Sequence, residues 1–256
     1  GVLLALALLI MPALRAERLT GPGQLSRPGT YEVVDKVTLS GDVTVSEGVT
    51  LLFTGGWFDA DRKVTITGDN TAIQAADAMI FSMNISAGGS WRVPYASPFW
   101  FEPTVNGDCS SSINKAAMMI KKGIVRLPGG EYKIASPIML PCGVTLEGAS
   151  GISGENQASR EINTKIVADP NGNWLRDANP SGAAFMVYVN SDVSGNIKGE
   201  WPTQWLAMRN IYMFKDAADN VSELRGVYAA GGAGFDYMVW SGFRPVSYTH
   251  LTLPTK

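Results

Sequence analysis

The segment VTLSGDVTVSEGVTLLF, residues 37–53, repeats a three-residue unit every six positions. Val37-Thr38-Leu39, Val43-Thr44-Val45 and Val49-Thr50-Leu51 each place two aliphatic side chains on one face of a strand and a threonine on the other. The residues around them, Asp35-Lys36, Ser40-Gly41-Asp42 and Ser46-Glu47-Gly48, are turn formers. No strand this short buries its apolar side alone. The pattern therefore predicts a solenoid, in which inward Val and Leu stack on the same residue types one turn further along. The alternative is an antiparallel meander, which would favour longer strands and two-residue turns such as Asn-Gly; this stretch has neither.

A second spacing runs later in the chain. Strand-like segments begin at Val144, Thr164, Ala184, Trp205 and Gly226, separated by 20, 20, 21 and 21 residues. Periods of this length mark solenoids, and a turn of about three short strands with their loops uses that many residues. One helix is expected over about 111–122. Ser110-Ser111-Ser112 offers N-caps, Ile113, Ala116, Ala117 and Ile120 form one apolar stripe, Lys121 and Lys122 suit the C-terminal dipole, and Gly123 ends it. A helix of this length is marginal by itself, so its stripe must dock. An open solenoid end, with its bare apolar rows and strand edges, is where it would serve as a cap.

The residues flanking that helix resemble a known family. Asn106-Gly107-Asp108-Cys109-Ser110-Ser111-Ser112-Ile113-Asn114-Lys115-Ala116 is followed by Ile124-Val125-Arg126-Leu127-Pro128-Gly129-Gly130-Glu131-Tyr132-Lys133-Ile134. Then comes Ile138-Met139-Leu140-Pro141-Cys142-Gly143-Val144-Thr145-Leu146-Glu147-Gly148. This order is similar to the opening of the pectate-lyase-like superfamily, the rhamnogalacturonase/epimerase-like pectate lyase domains. That opening reads roughly GDG-x-TDD-x-x-A-I-x-x-A, then LPxGxY, then LPxGVxLxG. The match covers about residues 99 to 150. One departure is Ser111-Ser112, where the family has an acidic pair; serine keeps a capping role and loses the charge.

The resemblance implies an all-β, right-handed parallel β-helix with an N-terminal capping α-helix. It also implies an acidic polysaccharide as substrate, cut by hydrolysis or β-elimination, with Ca²⁺ as a cofactor in the lyase case. Residues 17–90 then read as a small additional β-solenoid piece, and 91–245 as the cap and first turns. The alternative is a non-catalytic carbohydrate-binding adhesin or cell-surface solenoid.

Hydrolysis needs two carboxyl groups facing the scissile bond. Asp216 and Asp219 are the nearest loop pair, with Asp236 as a third candidate. Arg209 and Arg225 are candidates for substrate binding or for the base of a lyase. Trp201 and Trp205 are candidate sugar-stacking rings, since an indole offers a broad apolar face with a polar edge. The competing reading of Asp216, Asp219 and Asn220 is a polar turn. Asn84-Ile85-Ser86 and Asn220-Val221-Ser222 match glycosylation acceptors, a short and common pattern. No spacing of Cys and His indicates a zinc site.

The chain carries 21 basic and 23 acidic residues with no basic run, which argues against nucleic acid as a partner. The opening GVLLALALLI, followed by MPALRA, is too short to span a bilayer. It reads as a secretory signal over 1–16, or alternatively as a buried strand or helix. The signal reading gives a secreted protein, extracellular or periplasmic, with no membrane span in the mature chain. Residues 246–256, VSYTHLTLPTK, resemble one translated frame of a transposon-type sequencing adapter and contain the sole histidine, His250. Both ends are accordingly expected to be cut, leaving an N-terminal fragment without its later turns. Export permits a disulfide between Cys109 and Cys142. Its loop of 33 residues would contribute about 3–4 kcal/mol. Two unrelated buried thiols remain the alternative.

Overall fold

The computed structural model describes residues 16–102, 107–149, 164–174, 184–189, 204–215, 224–229 and 233–241, with 204–206 and 233–241 as backbone only. Residues 1–15 of the expected signal segment, the 246–256 tail, Asp216, Asp219, Asn220 and Trp201 lie outside them. Among the described residues the protein is all-β with one α-helix, and every strand pairing is parallel. The antiparallel meander does not occur among the described residues. The chain divides into two compact units at Val93/Pro94.

The first unit begins with β1 (Glu17–Arg18) and a 3₁₀ turn (Pro22–Ser26). Then follow β2 (Gly29–Val33), β3 (Val37–Thr38), β4 (Val43–Val45), β5 (Val49–Phe53), β6 (Phe58–Asp59), β7 (Val64–Gln74) and β8 (Ile85–Arg92). One sheet has the order β1-β2-β5-β7-β4, with β8 on β7; β3 and β6 form a second. The six-residue repeat falls on β3, β4 and β5, and no two of these pair with each other. Each meets a strand some twenty residues away: Val37 faces Phe58, Val43 faces Ile66, and Gly29 faces Val49. The period of six therefore counts successive strands along the chain, and the ladder repeat is longer.

Alternation does the sorting. Val45, Val49, Leu51 and Ile66 are buried, while Thr38, Thr44 and Thr65 are exposed. Inward residues form rows along the ladders, such as Tyr31–Leu51–Ile73. Phe58 and Phe81, bridge partners, stack with centroids 6.2 Å apart, and Phe53 meets Phe58 edge-on at 5.7 Å. Burial of each such side chain contributes about 1.5–3 kcal/mol. Leu25 of the 3₁₀ turn is fully buried, and its carbonyl accepts the Ser46 N–H.

The second unit has a short 3₁₀ turn (Pro98–Trp100), α1 (Ser110–Ile120), β9 (Gly123–Leu127), β10 (Gly130–Ile134), β11 (Ile138–Leu140) and β12 (Val144–Gly148). These are followed by β13 (Thr164–Ala168), β14 (Phe185–Val189), β15 (Gln204–Phe214), β16 (Arg225–Ala229) and β17 (Ala233–Ser241). One sheet runs β10-β13-β15-β12-β9, with β17 on β15; the other is β11-β14-β16. The five segments expected at 20-residue spacing are all strands, β12 to β16. Neighbours in sequence among them do not stack one on the next in a single wall, however. β12 pairs with β9 and β15, β14 with β11 and β16, and only β13 pairs with the long strand β15 from this series as well. The even spacing is that of consecutive strands. The true ladder intervals are uneven, from Gly123↔Val144 to Leu146↔Met208.

Helix α1 departs from expectation at both ends. The serines do not cap it by side chain. Asp108 does, its carboxylate accepting the N–H groups of Ser110 (2.9 Å) and Ala135 (3.0 Å). The helix ends at Lys121 in a left-handed conformation (φ 52°), and Gly123 opens β9. Ile113, Ala116 and Ala117 are fully buried as the stripe requires. Asn114 pairs with the edge of β11 as a strand would, accepting the Met139 N–H (2.7 Å) and donating to Pro137 O (3.0 Å). Ser110 Oγ accepts from Ala135 and Ser136 N–H. A buried edge thus finds partners on helix side chains.

Cys109 and Cys142 are free thiols. Cys109 precedes the first turn of α1, while Gly143, next to Cys142, packs on Lys122 just past its last turn. Eleven helical residues at 1.5 Å rise separate the two by about 16 Å, far beyond the roughly 7 Å limit between the Cα atoms of a disulfide.

Candidate functional site

The outward positions of the larger second-unit sheet carry charged side chains in register. In β9 and β12 the residues Val125, Leu127, Val144 and Leu146 point inward and are buried, which leaves Arg126 and Glu147 outward. The register then aligns Arg126 (β9), Glu147 (β12), Arg209 (β15) and the backbone position of Asp236 (β17) in one row across four adjacent strands. Parallel neighbours lie about 4.8 Å apart, so Arg126, Glu147 and Arg209 present alternating charge at strand spacing.

Within it, Arg209 binds Glu147. Its Nε donates to Oε2 at 2.8 Å, and Nη2 donates to the same oxygen. With side chains 36% and 20% exposed, this is a cross-strand surface pair worth about 0.2–1 kcal/mol. Arg126 also neighbours Glu147 in register but does not pair with it. Its guanidinium lies over the ring of Tyr95, 5.2 Å from the centroid, and Tyr95 stacks at 6.2 Å on the buried Trp100. Tyr95 is brought there by an extra parallel bridge, Ala96 to Val125.

β15 is bent at Asn210 (φ 56°), so that its first half follows β12 and its second half follows β13. Gly148 is required at this bend: a Cβ there would collide with the Asn210 carbonyl oxygen. Past the bend the outward row becomes Glu131, Lys165 and Tyr212. Beside it Lys133 pairs with Asp169 at 3.0 Å, and the Trp174 indole donates to Asp169 O. The Asn171 N–H, and then Lys133, hold the Asp169 carboxyl below the usual carboxylate range.

Of the residues expected from sequence, Arg209 and Asp236 are register partners on adjacent strands. Arg225 is elsewhere, exposed on the other sheet with its guanidinium 5.8 Å from the Phe185 ring centroid. Trp205 lies in β15 and is placed by backbone only. Asn84, one of the acceptor matches, is already engaged, its amide donating to Ala60 O at 2.8 Å. Burial and the charge of Asp108 push the Cys109 thiol up, away from thiolate reactivity. Among the described residues no group of three or more His, Cys, Asp or Glu could hold a metal ion, and no helix is long and apolar enough to cross a membrane.

Sequence reading passes over Arg126, Glu147 and Tyr95. The available signal is a charged residue at the outward position of each of two alternating strands. The class that the described residues define is an all-β protein of parallel sheets with one helix. No protein-family model, curated protein or solved structure matches the chain.

Proposed function

We propose that the protein is a secreted, polysaccharide-active β-helix protein, its ladders being the walls of a right-handed parallel β-helix capped by α1. Supporting the architecture are the exclusively parallel pairings, the inward apolar rows and the helix side chains that pair with the β11 edge. The resemblance around residues 99 to 150 supplies the substrate class, an acidic polysaccharide, and it is an argument from likeness of fold.

The observation that carries the functional reading is the in-register row Arg126–Glu147–Arg209–Asp236 on an outward sheet face. A groove for an acidic sugar needs guanidinium groups to meet carboxylates and carboxylates to work on the bond. Glu147 and the Asp236 position lie two strand spacings apart, about 9.6 Å. That is near the upper end of the separation used when water attacks a glycosidic bond directly. Asp216 and Asp219, which follow β15 in sequence, are further candidates. In the lyase version Ca²⁺ held by carboxylates supplies the charge and an arginine the base.

A second reading, binding without cleavage, draws on the Glu147–Arg209 pair. There the Arg209 guanidinium already occupies the carboxylate with two hydrogen bonds, so Glu147 is engaged in the row and does not stand free to face a scissile bond.

One experiment separates these readings. The chain is incubated with polygalacturonate and rhamnogalacturonan, with and without Ca²⁺, while binding, new reducing ends and unsaturated product are followed. Reducing ends alone indicate hydrolysis, and unsaturated ends indicate elimination. Retention on the polymer with neither product favours the adhesin, and no retention on any acidic polymer sinks the proposal.

A further inference from the structure

We propose that Arg126, seated on Tyr95, is a carboxylate-receiving subsite for an acidic sugar residue. The inference rests on the polysaccharide reading above and assigns it a specific contact. Three observations carry it.

The first concerns the division of charge. Arg126 and Arg209 flank one carboxylate, Glu147, in the same row. Arg209 takes that carboxylate with two hydrogen bonds. Arg126 has no hydrogen bond or ion pair through its side chain among the described residues; its contact is the Tyr95 ring. Of the three described charges, one cation is therefore uncompensated.

The second is orientation. A guanidinium over an aromatic face keeps its in-plane N–H donors free to meet a planar carboxylate in a two-bond fork. The third is rigidity. Tyr95 is held from below by Trp100, with rings 25° from parallel, and from the side by the Ala96 backbone, which bonds to Ile124 O (2.8 Å) and to the Arg126 N–H (2.9 Å). A side chain ordered in advance loses less entropy when it binds. A uronate residue fits this arrangement, with its carboxylate on the outward N–H donors of Arg126, while Tyr95 and Trp100 serve as the support beneath the guanidinium.

The test is affinity electrophoresis of the full chain in gels containing polygalacturonate or neutral dextran, backed by calorimetry with polygalacturonate. Arg126→Ala should weaken polygalacturonate binding roughly tenfold to a hundredfold, the range for a lost hydrogen bond to a charged group, with an unchanged thermal midpoint. Arg126→Gln, which keeps the length and loses the charge, should match it. Arg126→Lys should recover only part, because an ammonium does not reproduce the fork. Equal retardation of wild type and both neutral variants by polygalacturonate overturns this subsite and leaves the polysaccharide reading standing. A wild-type chain that polygalacturonate does not retard overturns the subsite and the acidic-polymer reading together. Equal loss on dextran also overturns it, since the contact would then not be with a carboxylate.

Discussion

In the first unit, from β2 onward, a strand meets its ladder partner twenty to twenty-three residues later; in the second unit the interval runs from twenty-one to sixty-two. Both units use the same packing device. Each has one eleven-residue strand, β7 or β15, whose two halves pair with two different earlier strands. Each bends that strand at a left-handed asparagine, Asn70 (φ 49°) or Asn210 (φ 56°). Each also has a fully buried threonine on a backbone carbonyl: Thr71 on Val45 O at 3.1 Å, and Thr164 on Leu127 O at 3.3 Å. The difference is where the chain spends its length. In the first unit β4 and β5 are joined by three residues, 46–48, whereas β12 and β13 are joined by fifteen, 149–163. Minimal corners leave little but scaffold, and long connections are where binding residues are usually carried.

The largest effect expected from this contrast is in the core. Phe58 is one of three mutually contacting rings, with Phe53 and Phe81, and it is fully buried. Phe58→Ala should cost about 3–5 kcal/mol, seen as a lowered denaturation midpoint. Amide exchange should quicken in β5 to β7, while β9 to β13 keep their protection. Equal loss of protection in both places would break the comparison, because the two units would then unfold as one.

What the sequence reveals follows the same division. The short strands at 37–53 are legible because their corners are only a few residues long, so the alternation of Val and Thr is never out of phase for long. Pairing partners in the second unit are not legible. Glu147 and Arg209 are sixty-two positions apart, and no local pattern says that they share a row. The even spacing of Val144, Thr164 and Ala184 misleads for a physical reason: successive strands of similar length joined by loops of similar length give a period whether or not they pair. Cys109 and Cys142 mislead likewise, since sequence distance says nothing of the helix that holds them apart. Asp108 is hidden by three serines that look like better caps.

A smaller effect tests whether the two bends are equivalent. A non-glycine residue other than Asn or Asp in the left-handed region costs about 1–2 kcal/mol. Asn70→Ala and Asn210→Ala should each lose about that much by urea denaturation, and Asn70→Gly and Asn210→Gly should lose little or nothing. Asn70 also donates to Glu47 and accepts from Arg92 through its carbonyl, both on the surface, so its side-chain loss should add only slightly. A loss at one site and none at the other would show that the resemblance of the bends is geometric only.

The smallest effect concerns pH. Each unit holds one aspartate below its ordinary range beside a lysine from a neighbouring segment. Asp59 lies beside Lys36 at 3.4 Å, and Asp169 beside Lys133 at 3.0 Å. Their causes differ. For Asp59 the Ser82 hydroxyl weighs most, followed among the favourable contacts by the Ala60 N–H and Lys36; the Ser82 Oγ faces the carboxyl without closing a well-aligned hydrogen bond. The Ala60 N–H, at 2.9 Å, is therefore the firmer contact. For Asp169 the Asn171 N–H leads and Lys133 follows. Both carboxyls titrate lower in the folded chain than in the unfolded one. The stability they add is thus fully present above the ordinary range, near pH 4, and is lost as pH falls through the lower folded value. Asp169→Asn and Asp59→Asn should each lower the urea midpoint slightly near pH 7, as expected for exposed groups, and the gap from wild type should close as the pH falls below about 4. Salt separates the causes, because a lysine contact is screened and a backbone N–H contact much less so. If about 0.5 M salt abolished the pH-dependent gap at Asp169, Lys133 would be its main support, and the Asn171 N–H would rank second rather than first.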